Sequence, residues 1–153
     1  MISATIKVNN LQIQYFLNKI LSTYSKKDLK SKTFAVWGQS FKPNTDDIRE
    51  SVGIKLVHYL APYVKKLKVF EPIAIRNTKL AHKDIANITF SKSAGSAIDG
   101  SHALIICTEY REFWNFDLQR LAKLRDLNIF DGRNILDKRS VQEMGINYFG
   151  IGR

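Results

Sequence analysis

One cysteine, three prolines and two methionines are a sparse supply of special residues for 153 positions. The single cysteine excludes an internal disulfide framework and any zinc site built from several thiolates. The three histidines, His58, His82 and His102, are scattered without metal-ligand spacing, so no metal is expected. No apolar run approaches the ~20 residues that cross a bilayer. The first residues lack a basic stretch leading into an apolar one, so no secretory signal is visible. Neither a G-x-G-x-x-G turn nor a P-loop occurs, and there are no repeats or low-complexity tracts. These absences point to a soluble, cytoplasmic protein that uses neither metal nor membrane.

What is present is charge and a core. Lys and Arg number 24 against 14 Asp and Glu, a formal charge of +10. Such an excess suits an anionic partner or a soluble basic surface. A hydrophobic content of 44% is enough for packed structure. The length supports one domain with an appendage.

The appendage comes first. Ile13, Phe16, Leu17, Ile20 and Leu21 follow helical spacing, with Val8, Leu11 and Tyr15 as a second row. This predicts an amphipathic or largely buried helix over about 5–24. Residues 25–32 read as a polar, basic connector. The boundary is drawn at 1–30 for helix and connector and 31–153 for the compact domain.

Beyond it, apolar runs alternate with helical patterns. Strands are expected at 33–37, 67–70, 88–90, 102–107, 127–130 and 148–151. Helices are expected at 51–61, 78–82, 93–99, 117–124 and 140–144, the last capped by Ser140 with Glu143. Pro62 should bend or end the first of them. This alternation specifies an α/β, Rossmann-like three-layer sandwich around a mostly parallel sheet.

In such sheets ligands bind beyond the carboxyl ends of the strands. The loop 38–51 packs Phe41, Lys42, Arg49 and three carboxylates ahead of a helix N-terminus, where unpaired amides favour an anion. Two readings of it stand. In one, Lys42 binds phosphate and Phe41 stacks on a base. In the other, Asp47 or Ser51 caps the helix and Arg49 pairs with a nearby acid. Arg133 follows a strand and an Asp-Gly turn, so it presents a fork to phosphate or pairs with Asp131 or Asp137. Cys107 ends an apolar strand and reads as a buried, inert thiol. Trp37, Phe113, Trp114 and Phe116 are assigned to the core. Lys65, Lys66 and Lys68 are read as a solvated edge, without the aromatic face that nucleic-acid binding needs.

The run Phe34-Ala35-Val36-Trp37-Gly38 and then Phe41-Lys42-Pro43-Asn44-Thr45-Asp46-Asp47-Ile48-Arg49-Glu50-Ser51 resembles the carboxy-terminal domain of the UDP-glucose/GDP-mannose dehydrogenase family. Further blocks follow in order: Val69-Phe70-Glu71-Pro72, Ala103 to Tyr110 with Glu112-Phe113, Phe130-Asp131-Gly132-Arg133-Asn134 and Gly150-Ile151-Gly152-Arg153. Val8-Asn9-Asn10-Leu11-Gln12 resembles the end of that family's central helix. The resemblance implies UDP-sugar binding within an enzyme that oxidises UDP-glucose to UDP-glucuronate with NAD, for polysaccharide synthesis. It implies contacts from Phe41, Lys42 and Arg133 to the UDP-sugar, and Arg49 near the NAD.

The resemblance also implies a missing amino-terminal NAD domain and catalytic cysteine, which Cys107 does not match. This chain is therefore expected to contribute no catalytic residue and to be inactive alone. Glu71 stands where an aspartate is usual, and Gln39-Ser40 where small apolar residues are. A different reading is an assembly module, in which the apolar face of residues 8–21 docks a partner or a second copy.

Overall fold

The computed structural model describes residues 2–152, and its first element is a long helix, α1 (Ile2–Thr23). Only one row of α1 is buried: Ile13, Phe16, Leu17 and Ile20. Val8, Leu11 and Tyr15 stay exposed, so the helix is amphipathic rather than largely buried. A side chain of this size gains about 1.5–3 kcal/mol when fully buried, and the four inward residues dock α1 on the sheet. The connector is more ordered than its composition suggests. Ser25 caps a short helix, α2 (Lys26–Leu29), and Leu29 is buried.

Six strands follow: β1 (Thr33–Trp37), β2 (Lys66–Phe70), β3 (Ile88–Phe90), β4 (Ala103–Ile106), β5 (Asn128–Asp131) and β6 (Asn147–Gly150). Every pairing is parallel, so the sheet is parallel throughout and not merely for the most part. The strand order is β3-β2-β1-β4-β5-β6, the doubly wound Rossmann arrangement.

Period-2 alternation feeds two cores. Phe34, Val36, Ala103 and Ile105 face α1 and α3 (Val52–Leu60), meeting Phe16, Ile20, Leu56 and Leu60. Ala35, Trp37, Leu104 and Ile106 face the other way. There they meet α5 (Ala94–Ile98), α6 (Arg111–Trp114), a 3-10 helix at Leu118–Lys123 and α7 (Lys138–Glu143). One further helix, α4 (Ile75–Ala81), lies between β2 and β3 in the chain. Pro62 is the middle residue of a 3-10 turn, Ala61–Tyr63, directly after α3.

Four local expectations are corrected. The segment 117–124 winds as a 3-10 helix, because Leu118, Leu121 and Leu124 recur every three residues and so share its face. The last helix begins earlier: the Asp137 side chain, not Ser140, caps α7 by accepting from Ser140 N at 2.9 Å. Glu143 pairs instead with Arg139. Trp114 is 58% exposed, since Phe113 takes the inward side of α6. Lys68 lies on an interior strand, and its Nζ reaches Ser96 O at 2.7 Å and Asp99 O. It therefore neutralises carbonyls at the end of α5 rather than joining a solvated edge.

The docking of α1 has a measurable cost. Phe16→Ala removes a 2%-exposed ring and should lower unfolding free energy by about 3–5 kcal/mol. Urea denaturation checks this, and a loss under 1 kcal/mol would show that α1 does not pack as described.

A candidate nucleotide cavity at the strand ends

The sheet order reverses between β1 and β4, and the loops leaving those two strands part at that point. Two glycines permit the geometry. Gly38 has φ +89° at the end of β1, and a Cβ there would lie 2.5 Å from that of Thr108. A Cβ on Gly53 would lie 2.5 Å from Gly38 O, so only glycine lets α3 start against the strand end.

Loop 38–51 is held by a buried polar network. Glu71, 3% exposed, follows β2. Its Oε2 accepts from Gln39 N and Ser40 N (2.5 and 3.1 Å), and its Oε1 accepts from Ile73 N, Ala74 N and the Tyr110 hydroxyl (3.1, 3.0 and 2.6 Å). Ser40 Oγ lies 2.7 Å from the Tyr110 hydroxyl and 2.8 Å from Lys42 O. Thr108 Oγ1 donates to Ser40 O at 2.9 Å. Ser51 donates to Gln39 O at 2.6 Å and caps α3 through Ile54 N. Gln39, fully buried, bonds Gly38 O through Nε2 and His82 Nε2 through Oε1.

With both neighbours of the strand end pinned inward, the next two side chains turn out. Phe41, 48% exposed, and Lys42 line a cavity of about 630 Å³. Arg133 reaches the same cavity from the loop after β5. Its position is set by a second buried carboxylate, Asp131. Asp131 Oδ2 accepts from Ile135 N, Leu136 N and the Tyr148 hydroxyl, each at 2.9 Å, and Oδ1 accepts from Arg133 N at 3.0 Å. The Arg133 Nε donates to Cys107 O at 3.0 Å and lies 3.1 Å from Glu109 Oε2. The ion-pair partner of Arg133 is thus Glu109, not Asp131 or Asp137.

The capping reading of loop 38–51 holds for Ser51 and Arg49. Ser51 caps the helix, and Arg49 pairs with Asp47 at 3.0 Å on the outer side. That outer depression is lined by Thr45, Asp46, Asp47, Ile48 and Asn77. The structure therefore brings Phe41, Lys42 and Arg133 together and leaves Arg49 apart. The Arg49 guanidinium holds the half-buried Asp47 carboxyl below its usual range.

Sequence reading missed Lys55 as a cavity residue, and the wall that α1 supplies through Asn9, Gln12 and Phe16; Glu50 and Glu109, which lie in strand-end loops, join the same lining. Lys55 was within reach of inference, one turn into the helix that Ser51 starts. The α1 wall had no local signal. Of the three cations, Lys55 pairs with Glu50 at 2.7 Å and Arg133 with Glu109. Among the described residues no carboxylate lies within ion-pairing distance of Lys42. The start of α3, the positive end of its dipole, borders the cavity through Val52. The arrangement suits a ligand with a flat apolar part and a compact anionic part.

Residues 35–138 match the UDP binding domain of the UDP-glucose/GDP-mannose dehydrogenase family. The chain belongs to this family. It is 32% identical to a UDP-glucose 6-dehydrogenase of Bacillus subtilis, over all of this chain and 34% of that protein. It is 35% identical to an uncharacterized protein of Methanocaldococcus jannaschii, covering 18% of that protein. Among solved structures, a UDP-glucose dehydrogenase from Pyrobaculum islandicum superposes with a TM-score of 0.76 at 26% identity, over 97% of this chain and 31% of that one. The chain thus spans about a third or less of these relatives' length. As a member of this family's UDP binding domain, it places its cavity where the fold places nucleotides.

Two buried groups have testable chemistry: Cys107 in the cavity lining and His82 against Gln39. Cys107, 2% exposed, has its thiol pushed up to about 12 by burial. It should stay unmodified by a disulfide exchange reagent until the chain unfolds. Rapid stoichiometric labelling of the folded chain would refute this.

Burial, and then nearby His58, lowers His82 to about 4. Its Nδ1 has no hydrogen-bond partner among the described residues. The unfolded state then takes up this proton at about pH 6.5 and the native state only near 4. Stability from the neutral ring is complete above 6.5 and falls as pH drops through that window, by up to about 3 kcal/mol. Urea midpoints between pH 7 and 4 should decline, and less steeply in His82→Gln. Equal slopes would contradict the assignment.

Proposed function

We propose that this chain holds the UDP-sugar in a UDP-sugar dehydrogenase. The observation that carries the reading is the convergence of Phe41, Lys42 and Arg133, from two separate loops, on one cavity at the sheet's switch point. Lys42 and the outer nitrogens of Arg133 bind the diphosphate, aided by the α3 N-terminus. Phe41 stacks on the uracil ring. Asn9, Gln12 and Phe16 of α1 form a further wall of the same cavity.

In the whole enzyme the substrate is UDP-glucose, oxidised to UDP-glucuronate in the cytoplasm for polysaccharide synthesis. NAD accepts the electrons there. The described residues do not build a dinucleotide site. Arg49 is an exposed fork already held by Asp47, and the β1 turn is Gly38-Gln39-Ser40. NAD and the reacting cysteine therefore belong to an amino-terminal dehydrogenase domain, to whose cofactor Arg49 adds one contact. Among the described residues, the cysteine that borders the cavity, Cys107, is buried with its thiol pushed up, so it supplies no thiolate. The chain by itself binds ligand without turnover.

Calorimetric titration with UDP tests the reading. Lys42→Met and Arg133→Met should each weaken binding about 10- to 100-fold, the effect of removing one charge-assisted hydrogen bond. Arg49→Met should leave UDP affinity within about twofold, because it lies outside the cavity. Unchanged affinity in both cavity variants would reject the site. No UDP binding at millimolar concentration would reject autonomous binding.

A further inference from the structure

We propose that Glu71, acting through Tyr110, is the positioning residue for the Phe41–Lys42 pair. The inference rests on the UDP reading above and extends it to a residue that does not line the cavity. Glu71 comes from the end of β2, yet its carboxylate accepts from two amides of the β1 loop and from a hydroxyl of the β4 loop. It thus joins three strand ends with one side chain.

The geometry separates positioning from simple filling of space. Gln39 and Ser40, whose amides point at Glu71, are 0% and 1% exposed, whereas Phe41 beside them is 48% exposed. The transition from buried to outward-facing chain happens within one residue. Residues 39–43 form no regular helix or strand, and the local backbone bond there, Phe41 N to Asp47 O at 2.7 Å, ties Phe41 to its own loop and not to the sheet. Ser51 and Thr108 hold the Gln39 and Ser40 carbonyls, and Glu71 holds both of their amides. Ser40 carries the constraint onward: with the Tyr110 proton given to Glu71, the single Ser40 hydroxyl proton is shared between the Tyr110 oxygen at 2.7 Å and Lys42 O at 2.8 Å. Lys42, the cavity cation without an ion-pair partner among the described residues, owes its backbone position to this relay. A buried carboxylate satisfied by several N–H donors is stiff, because each donor it released would stay desolvated. The loop is therefore set before ligand arrives, which lowers the ordering cost of binding.

Three variants test this: Glu71→Gln, Glu71→Asp and Tyr110→Phe. Gln puts a donor amide against backbone donors, Asp keeps the carboxylate, and Phe removes one hydroxyl. Amide hydrogen exchange and UDP affinity are measured well below each variant's melting temperature. Exchange over residues 39–43 should rise at least tenfold in Glu71→Gln and Tyr110→Phe, while β4 keeps wild-type protection. UDP binding should weaken about tenfold or more in Glu71→Gln and by a smaller factor in Tyr110→Phe. Glu71→Asp should restore both towards wild type.

Folded variants with wild-type exchange over 39–43 would overturn the proposal, as would loss of protection spread evenly over the sheet. If Glu71→Gln does not fold, Tyr110→Phe decides. If the wild-type chain binds no UDP, the UDP reading fails, and the exchange data still judge the role of Glu71.

Discussion

A carboxylate taken out of water must find donors or lose its charge, and Glu71 finds five, drawn from the ends of three strands. Those strand ends are where a parallel sheet is weakest, since the ladder stops and the amides and carbonyls beyond it need other partners. Asp131 does the same on the next strand pair, shaping the turn that presents Arg133. Two buried acids thus fashion the two rims of the cavity, and neither appears on its surface. The cavity's precision comes from groups hidden behind it.

This arrangement changes the meaning of the +10 charge. Most of the basic residues lie elsewhere, and the cavity itself is close to balanced, with Lys55 and Arg133 already paired. Long-range attraction of an anion is a property of the whole surface. In the proposed site selectivity is local, resting on Lys42, the orientation of the Arg133 fork and the beginning of α3. A partly neutralised rim also disfavours extended polyanions, which need rows of unpaired cations. A compact diphosphate fits better.

The large features were legible. Unbroken apolar runs such as Ala103–Ile106 announced strands covered on both faces, and the strand–helix alternation announced parallel pairing. Lys42 and Arg133 stood out because they follow strand ends. Local patterns were less reliable where two local rules competed. Leu118, Leu121 and Leu124 are compatible with an α-helix, but a strict three-residue interval is eclipsed only in a 3-10 helix. Ser140 and Glu143 make a plausible cap, yet Asp137 lies one turn earlier and offers a stronger acceptor at the dipole's positive end. Adjacent aromatics on a four-residue helix cannot both face inward, so Trp114 yielded to Phe113.

By itself, then, the amino-acid order determined the strands, their parallel pairing and the placing of cations just past their ends, because these depend on periodicity and on neighbours in the chain. Its motif blocks also identified the family. What only the tertiary structure decided was who meets whom. Glu71 and Ser40 are 31 residues apart, Arg133 and Cys107 are 26 apart, and Phe16 approaches Gly132 across most of the chain. Such contacts are chosen by the twist and order of the sheet, which no local pattern encodes. For the same reason Arg49 and Lys42, close neighbours in the chain, end on opposite sides of one loop. The direction of a side chain in an irregular segment is set by what pins the backbone from behind, and here that pin is carried by another strand.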